Sequence, residues 1–581
     1  MRYLFNKPAD FVDESIDGFV AAHPDLVKRV PGGVVRATET PPGQVAIVIG
    51  GGSGHYPAFA GLVGEGLAHG AAMGNIFASP SAQQIYSVAK AAASDAGVIM
   101  SFGNYAGDVL NFGIAAERLK AEGIPARCLP VTDDVCSGPV ERTAERRGIA
   151  GDLTVFRALA YAAERGDDMD GVFDFAMRAN DLTRSFGVAF SGCTLPGASE
   201  PLFTVPAGRM GVGMGIHGEP GIDEIDLPSA HELGVMLVDR LLEERPVGLA
   251  RAGTPRVGVM LNGLGAVKYE ELFVLYKSVS ERLADAGLTV INPEVGELVT
   301  SFEMAGVSLT LFWLDDDMEA VWTSRAQTPA YNRFDTPISG TPRQGEAQTL
   351  TELEAEAPAA SDVSKEQAPA ILAVVEAVHA EIEKEAEALG KLDAISGDGD
   401  HGIGMFTGAQ AALAAARRAV DAGCGAGTVL ERSGDAWANE AGGTSGALWG
   451  LGLRTLGARL GDQDTIKAPA VAAGVREAVD AIQRLGGARV GDKTLIDAMA
   501  PFADTLVAEV EAEKSLCQAW QTASENAAAA AEATAELKPK LGRAKNHSDK
   551  SVGHPDPGAV SFALITAAAG ATLAQLKENA S

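Results

Sequence analysis

Ser396-Gly397-Asp398-Gly399-Asp400-His401-Gly402, with Asp393 just before it, brings three carboxylates into eight residues and flanks Asp398 with glycine. Side chains two apart on an extended or turning chain can face the same way. Glycine lets a bulky ligand come close to the backbone. Hard oxygen donors at this spacing suit Mg²⁺, which takes one or two carboxylates and fills its shell with water and phosphate. A solvated acidic turn would use the same Asp-Gly pairs. An EF-hand fits poorly, because counting Asp398 as the first ligand puts Ala409 where a bidentate glutamate is needed. The segment points to a metal–nucleotide site, and its surroundings decide the matter.

Those surroundings are alanine-rich and periodic over 368–389, 407–422, 471–485 and 518–537. Alanine is the best helix former and β-branched runs are scarce here, so the second half is expected to be an all-helical bundle. The alanine run 527–531 reads as ordinary helix surface. Three more glycine-bearing polar segments interrupt the helices. Gly442-Gly443-Thr444-Ser445-Gly446 leads into a helical pattern, and bare amides with hydroxyls at a helix start make an anion site. Gly491-Asp492-Lys493-Thr494 also precedes a helix and, taken singly, reads more readily as a cap than as a site. Gly542-Arg543-Ala544 and His554-Pro555-Asp556-Pro557-Gly558 fall in the last long loop, where Arg543 could reach a phosphate. No Gly-x-x-x-x-Gly-Lys-Ser/Thr segment occurs, which excludes a P-loop.

At 581 residues the chain should hold two to four domains. A net charge of −30 argues against nucleic-acid binding, which needs a basic surface. The five cysteines are scattered without a CxxC pair, so neither a disulfide framework nor a zinc site is indicated. The first residues lack the apolar core of a signal peptide, and no uninterrupted apolar run of transmembrane length stands out. A cytoplasmic location and no membrane partner are the expectations. The aperiodic acidic stretch 336–365 reads as a linker between domains at 1–335 and 366–581.

In the first half, β-branched runs at 45–49, 96–102 and 256–261 end in Gly/Asn loops and lead into helical patterns. That is an α/β architecture with sites at strand ends. Gly50-Gly51-Gly52-Ser53-Gly54-His55 follows the first run, but His55 breaks dinucleotide-loop spacing. An accessible His55 and a surface or supporting one are both compatible with the sequence. Asp108, in Asn104-Tyr105-Ala106-Gly107-Asp108, could act as a general base or cap a helix. Gly213-Met214-Gly215-Ile216-His217-Gly218-Glu219-Pro220-Gly221 frames His217 with glycines and so presents its ring to a ligand.

Together these segments resemble the dihydroxyacetone kinases. In that family an Asp, GDGD, GGTSG, GD(K/R)T, GR and DPGA follow one another in the helical half, and GIHGEPG lies in the substrate half. The resemblance implies an α/β ketose-binding region followed by an all-helical ATP domain. It implies Mg²⁺ ligands at Asp393, Asp398 and Asp400. It implies nucleotide contacts at His401, Gly442, Gly443, Thr444, Ser445, Gly491, Arg543 and Asp556. Gly52, Ser53, Asp108 and His217 would bind substrate. His217 would bond the carbonyl carbon as a hemiaminal, Asp108 would act as base on the terminal hydroxyl, and His55 would orient the substrate and assist carbonyl chemistry. ATP is the implied phosphoryl donor and a homodimer the implied assembly.

The chain departs from the usual GGGSGHEPAH at Tyr56 and Phe59, and from the usual KNYTGD at Gly103 and Ala106. Gly103 replaces a lysine that grips substrate in the family, which should remove a polar contact and open space. The expected substrate is therefore a larger short ketose, erythrulose before dihydroxyacetone. The alternatives are a dihydroxyacetone kinase proper, a phosphocarrier-dependent form, a cyclising FAD-AMP lyase, and a non-catalytic ketose-sensing coregulator.

Overall fold

The computed structural model describes the chain except residues 1–3, 220, 247–253, 336–339, 342–356, 396, 542–547 and 580–581. Contacts divide it into two compact units, residues 1–341 and 342–581.

In the first unit the β-branched runs become members of two six-stranded sheets. The first sheet comprises β1 (Val27–Val30), β2 (Gly33–Arg36), β3 (Ala46–Ser53), β4 (Gly70–Ile76), β5 (Val98–Gly103) and β6 (Ala126–Val131), in the order β1-β2-β4-β3-β5-β6. Strands β4, β3, β5 and β6 are parallel. Every residue of β3 and β5 is buried, as in a sheet covered on both faces. Chain order reverses at β3, with β4 on one side and β5 on the other. The crevice beyond the carboxyl ends of such strands is where open α/β sheets take ligands.

The second sheet comprises β7 (Thr183–Ala189), β8 (Arg209–Val212), β9 (Asp223–Asp226), β10 (Arg256–Gly263), β11 (Thr289–Gly296) and β12 (Gly306–Leu314). Its order is β11-β10-β12-β7-β8-β9, antiparallel except between β10 and β11. Helices α1 (Phe11–Ala22), α2 (Ala82–Ala92), α3 (Ala106–Ala121), α4 (Asp152–Arg165), α5 (Met169–Asp181), α6 (Ala230–Leu242), α7 (Tyr269–Asp285) and α8 (Asp316–Thr323) accompany the sheets. One buried core runs through both, from Ile47 and Ile49 of β3 through Phe156 of α4 to Val257 and Phe312.

Asn262 links β10 to the crevice. It is fully buried, its Oδ1 accepts from the amides of Leu298 and Val299, and its Nδ2 donates to Val299 O and Ser308 Oγ. The loop it fixes then grips the glycine loop after β3: Phe302 N–H donates to Gly54 O at 3.0 Å, and Thr300 Oγ1 to Tyr56 O at 2.8 Å.

Among the described residues the second unit has eight long helices: α9 (Asp362–Asp393), α10 (His401–Asp421), α11 (Ala426–Ala441), α12 (Gly443–Leu460), α13 (Ala468–Gly486), α14 (Ile496–Glu511), α15 (Leu516–Ala533) and α16 (Pro557–Asn579). Each packs on the next long helix in the chain, and α16 returns to α9, closing a ring. Short connections make successive helices antiparallel, so every second connection falls at the same end. Those at that end include 394–400, 442 and 487–495, the segments that interrupted the helical periodicity. Glycines on α11 and α12 bring the two backbones together along their length. A Cβ on Gly450 would lie 2.7 Å from Gly434 O, and one on Gly457 would lie 2.6 Å from Gly427 O. That close approach lets Gly442 alone turn the chain.

Three expectations are corrected. Helix α9 starts at Asp362, inside the stretch read as linker, because the Ser361 side chain accepts from Ser364 N–H and Ser364 Oγ in turn accepts from Ala426 N–H. Residues 336–339 and 342–356 of that stretch lie outside the described residues. The alanines at 527–531 are partly core, since Ala523, Ala527 and Ala531 form a buried stripe at helical spacing. Helix α16 has the length and hydropathy of a membrane span, yet its Ala559, Phe562, Ile565 and Ala569 belong to the bundle core. Phe502 ties that core together, edge-on to Trp520 at 5.0 Å and to Phe562 at 5.5 Å. Phe502→Ala should cost about 3–5 kcal/mol, read as a lower urea midpoint of the far-UV helical signal.

Candidate functional site

The loop leaving β3 delivers His55 into the protein rather than to its surface. The ring is 1% exposed, a correction to its expected accessibility. It stacks on Phe77 at 5.0 Å, and its Nδ1 donates to Thr300 O at 2.7 Å. His217 lies in the loop between β8 and β9 and is half-buried. The rings of Phe77, Tyr105 and His55 surround it at 5.5, 4.7 and 4.8 Å. Its immediate neighbours give it little packing, as expected, and distant segments supply the rest. Glu219, two residues on, accepts from His217 Nδ1 at 2.9 Å and from the His217 amide at 3.0 Å. Gly215 leaves the Glu219 carboxylate its place, because a Cβ would displace it and come within 2.8 Å of Arg147.

These partners determine the tautomers. A carbonyl holds the proton on His55 Nδ1 and a carboxylate holds it on His217 Nδ1. The two Nε2 atoms then face each other at 3.0 Å. Two lone pairs at that distance repel, so one proton must lie between them. Burial, followed by the neighbouring His217, lowers His55 to about 3. Burial would raise Glu219, but the hydrogen bond and charge of His217 outweigh it and bring the carboxyl down to about 2. The assembly is an ionised carboxylate, an imidazole pair sharing one proton, and a carbonyl, in series. Arg147, paired with Asp134 at 2.8 Å and donating to Gly213 O, steadies the Glu219 side.

Asp108 sits in the first turn of α3 at the end of β5 and is 8% exposed. Burial pushes its carboxyl up to about 6, with the Ser79 hydroxyl and His217 restraining the rise. Ser53 Oγ is committed to Gly74 O at 2.7 Å, and the Gly52 backbone lies against Phe77 and Ala78. These two therefore shape the floor of the loop.

In the helical unit, Asp393 ends α9, Asp400 precedes α10, and Asp398 lies between them. One carboxylate oxygen from each lies within 4.8 Å of those of the other two. Asp393 Oδ2 accepts from Gly399 N–H at 2.9 Å, which folds the loop back on the helix end. Gly399 takes a φ of +81°, which favours glycine. Three hard oxygen donors at this spacing fit a divalent cation such as Mg²⁺.

Gly442 and Gly443 both have positive φ, and Gly443, Thr444 and Ser445 are exposed at the start of α12 with no side-chain cap. The first-turn amides there meet solvent, an anion-binding arrangement. A Cβ on Gly404 would lie 4.0 Å from Ala441 O, so this turn adjoins the first turn of α10. His401 Nε2 meets Ser561 Oγ at 3.1 Å, joining the acidic loop to α16.

The remaining nucleotide expectations resolve differently. Gly491 N–H donates to Asp497 Oδ1, and Lys493 is buried, donating to Leu537 O and Ser551 O. That segment is an internal brace rather than a free phosphate loop. Asp556 Oδ1 caps α16 through Ala559 N–H, and burial raises its carboxyl to about 7. Arg543 lies outside the described residues.

The Dak1 domain model matches residues 17–330, and the DAK2 domain model matches residues 395–571. The L-erythrulose kinase of Pectobacterium atrosepticum is 55% identical over 99% of this chain and 97% of its own. A D-erythrulose kinase of Mycolicibacterium smegmatis is 51% identical over 100% of both chains. The chain belongs to the dihydroxyacetone kinase family. A crystal structure of the C. freundii dihydroxyacetone kinase in complex with AMP-PNP and Mg²⁺ is 29% identical, with a TM-score of 0.61 and coverage of 98% of this chain and 99% of that one.

Where this chain departs from the usual dihydroxyacetone kinase motifs, the structure gives the consequence. Phe59 packs its ring on Gly51 and stands edge-on to His55 at 6.3 Å. Tyr56 is half-exposed, beside Phe19. Gly103 was expected to open space. Instead the Tyr105 ring occupies it, 3.2 Å from where a Cβ on Gly103 would stand.

Sequence reasoning missed Glu219, Thr300, Tyr105 and Arg147 as functional neighbours. A carboxylate two residues from His217 in a glycine frame was a usable signal for Glu219. Thr300, 245 residues from His55, left none.

A buried neutral His55 makes stability depend on pH. Its folded value lies below its unfolded one, so the unfolded chain binds more protons between about pH 3 and about pH 6.5, and stability falls as pH drops through that window. His55→Gln should flatten the decline in urea midpoint between pH 6.5 and 4. An unchanged slope would contradict the assignment.

Proposed function

We propose that this chain is an ATP-dependent kinase that phosphorylates a terminal hydroxyl of erythrulose, tethered through its ketone to His217. The observation that carries this reading is the Glu219–His217–His55–Thr300 series. As His217 Nε2 bonds to the carbonyl carbon, the C=O π bond opens, and the proton shared with His55 passes through that ring to the new hydroxyl. His217 becomes an N-substituted imidazolium whose charge Glu219 balances, and His55 is left neutral. Atoms and charge are conserved, and the ketose exchanges free tumbling for a fixed orientation.

Asp108 then takes the proton of the terminal hydroxyl, which becomes the acceptor of the phosphoryl group. In the helical unit, Asp393, Asp398 and Asp400 would hold Mg²⁺, which when bound neutralises charge on the ATP phosphates. The amides of Gly443, Thr444 and Ser445 would receive those phosphates at the start of α12. Identity of 51–55% to L- and D-erythrulose kinases supports erythrulose over dihydroxyacetone. The acidic triad supports a kinase over a ketose sensor, which has no use for a metal-bound nucleotide.

ADP release measured across L- and D-erythrulose, dihydroxyacetone and glyceraldehyde should be fastest with an erythrulose. His217→Ala should lower kcat/KM by ~10³-fold or more. Equal rates on glyceraldehyde and erythrulose would contradict the ketone tether.

Asp108 acts as a base when ionised, so kcat/KM should rise with pH through about 6. Asp108→Asn should lose about 10²–10⁴-fold and that acid limb with it.

A further inference from the structure

Gly103, at the end of β5, faces Gly148. A Cβ on Gly148 would lie 2.6 Å from Gly103 Cα and 2.9 Å from Asp152 Oδ1. Around these two residues without side chains are three buried oxygens that have no hydrogen-bond partner among the described residues: Tyr105 Oη, Asp108 Oδ1 and Asp152 Oδ1. Tyr105 caps α3, Asp108 lies in its first turn, and Asp152 opens α4. Asp152 is 1% exposed. Unpaired buried oxygens are uncommon and destabilising, so three around one spot mark a place that a ligand's polar groups complete.

The chemistry of the spot selects the ligand class. Burial, then Asp133 and Asp108, holds the Asp152 carboxyl well above the usual carboxylate range. Burial, then Glu219, does the same for the Tyr105 phenol. The Tyr105 phenol is neutral and can donate one hydrogen bond and accept another, and Asp152 Oδ1 offers an acceptor beside it. A phenol that donates and accepts beside an unpartnered carboxyl oxygen suits an alcohol. The pair has no cation to offer a phosphate. The place adjoins the reaction, since the Tyr105 ring stands 4.7 Å from His217 and Asp108 belongs to both.

We propose that Tyr105 Oη and Asp152 Oδ1 form a polyol subsite that receives the hydroxyl by which a four-carbon ketose exceeds dihydroxyacetone. This deepens the kinase reading and rests on it. Gly103 then has a positive role: it admits the Tyr105 ring and brings its phenol to the substrate. Tyr105 and Asp152 determine specificity by pairing with that hydroxyl, and a triose leaves both unpaired.

The test measures kcat/KM for L-erythrulose, D-erythrulose and dihydroxyacetone with the full chain, Tyr105→Phe, Asp152→Leu and Asp152→Asn. Tyr105→Phe removes one atom and keeps the ring that packs on His217. The ratio of the preferred erythrulose to dihydroxyacetone should fall about tenfold in Tyr105→Phe and Asp152→Leu, mainly through KM. Asp152→Asn, which still donates and accepts, should retain most of the ratio. An unmodified protein that turns over erythrulose, together with unchanged ratios in Tyr105→Phe and Asp152→Leu, overturns the subsite and leaves the kinase reading standing. Failure of the unmodified protein to consume ATP with any ketose overturns the kinase reading itself.

Discussion

Two imidazoles meet nitrogen to nitrogen at 3.0 Å, and much of the first unit exists to hold them there. The contact is stable while one proton lies between the rings and each outer nitrogen has an acceptor. Thr300 provides one acceptor from a loop pinned by the buried Asn262 of β10. Glu219 provides the other from the loop between β8 and β9. One ring therefore comes from the first sheet, and its partner and both anchors come from segments of the second. Shifting either sheet would leave lone pair against lone pair, or strand the carboxylate. The shared core that runs through β3, α4 and the second sheet prevents such a shift.

The helical unit solves a different problem with cheaper parts. A closed antiparallel ring places alternate connections at one end, so polar segments far apart in sequence become neighbours without long loops. Gly442 turns the chain in one residue because glycines on α11 and α12 let the helix backbones nearly touch. The uncapped start of α12 and the three carboxylates beside α10 then share that end. The same ring sets aside Lys493 and Asp556 for its own bracing.

What could be read from sequence depended on distance along the chain. Asp393, Asp398 and Asp400 lie within eight residues, so their convergence required only a tight turn. The helix start at Gly443 was legible because glycine and hydroxyl residues precede the helical pattern that opens at Ala447-Leu448-Trp449. The fold class followed from β-branched runs giving way to alanine periodicity. The burial of His55 was not legible, because Phe77 and Thr300 do the burying. Nor was the fate of the space at Gly103, since Tyr105 has to fold back over a residue two positions earlier to fill it. The segment at Gly491 resembled a nucleotide contact by motif and became a brace, with Lys493 donating to two carbonyls 44 and 58 residues downstream.

The central claim is that the His217 ring, with its proton fixed on Nδ1 by Glu219, captures a ketone through Nε2. Erythrulose labelled with ¹³C at the carbonyl carbon, mixed with the full chain in the absence of nucleotide and followed by NMR, tests this most directly. The account predicts that the bound label leaves the ketone region for that of a tetrahedral carbon, and that His217→Ala abolishes the new signal. A bound label that stays a ketone, or a tetrahedral signal that survives His217→Ala, would contradict it.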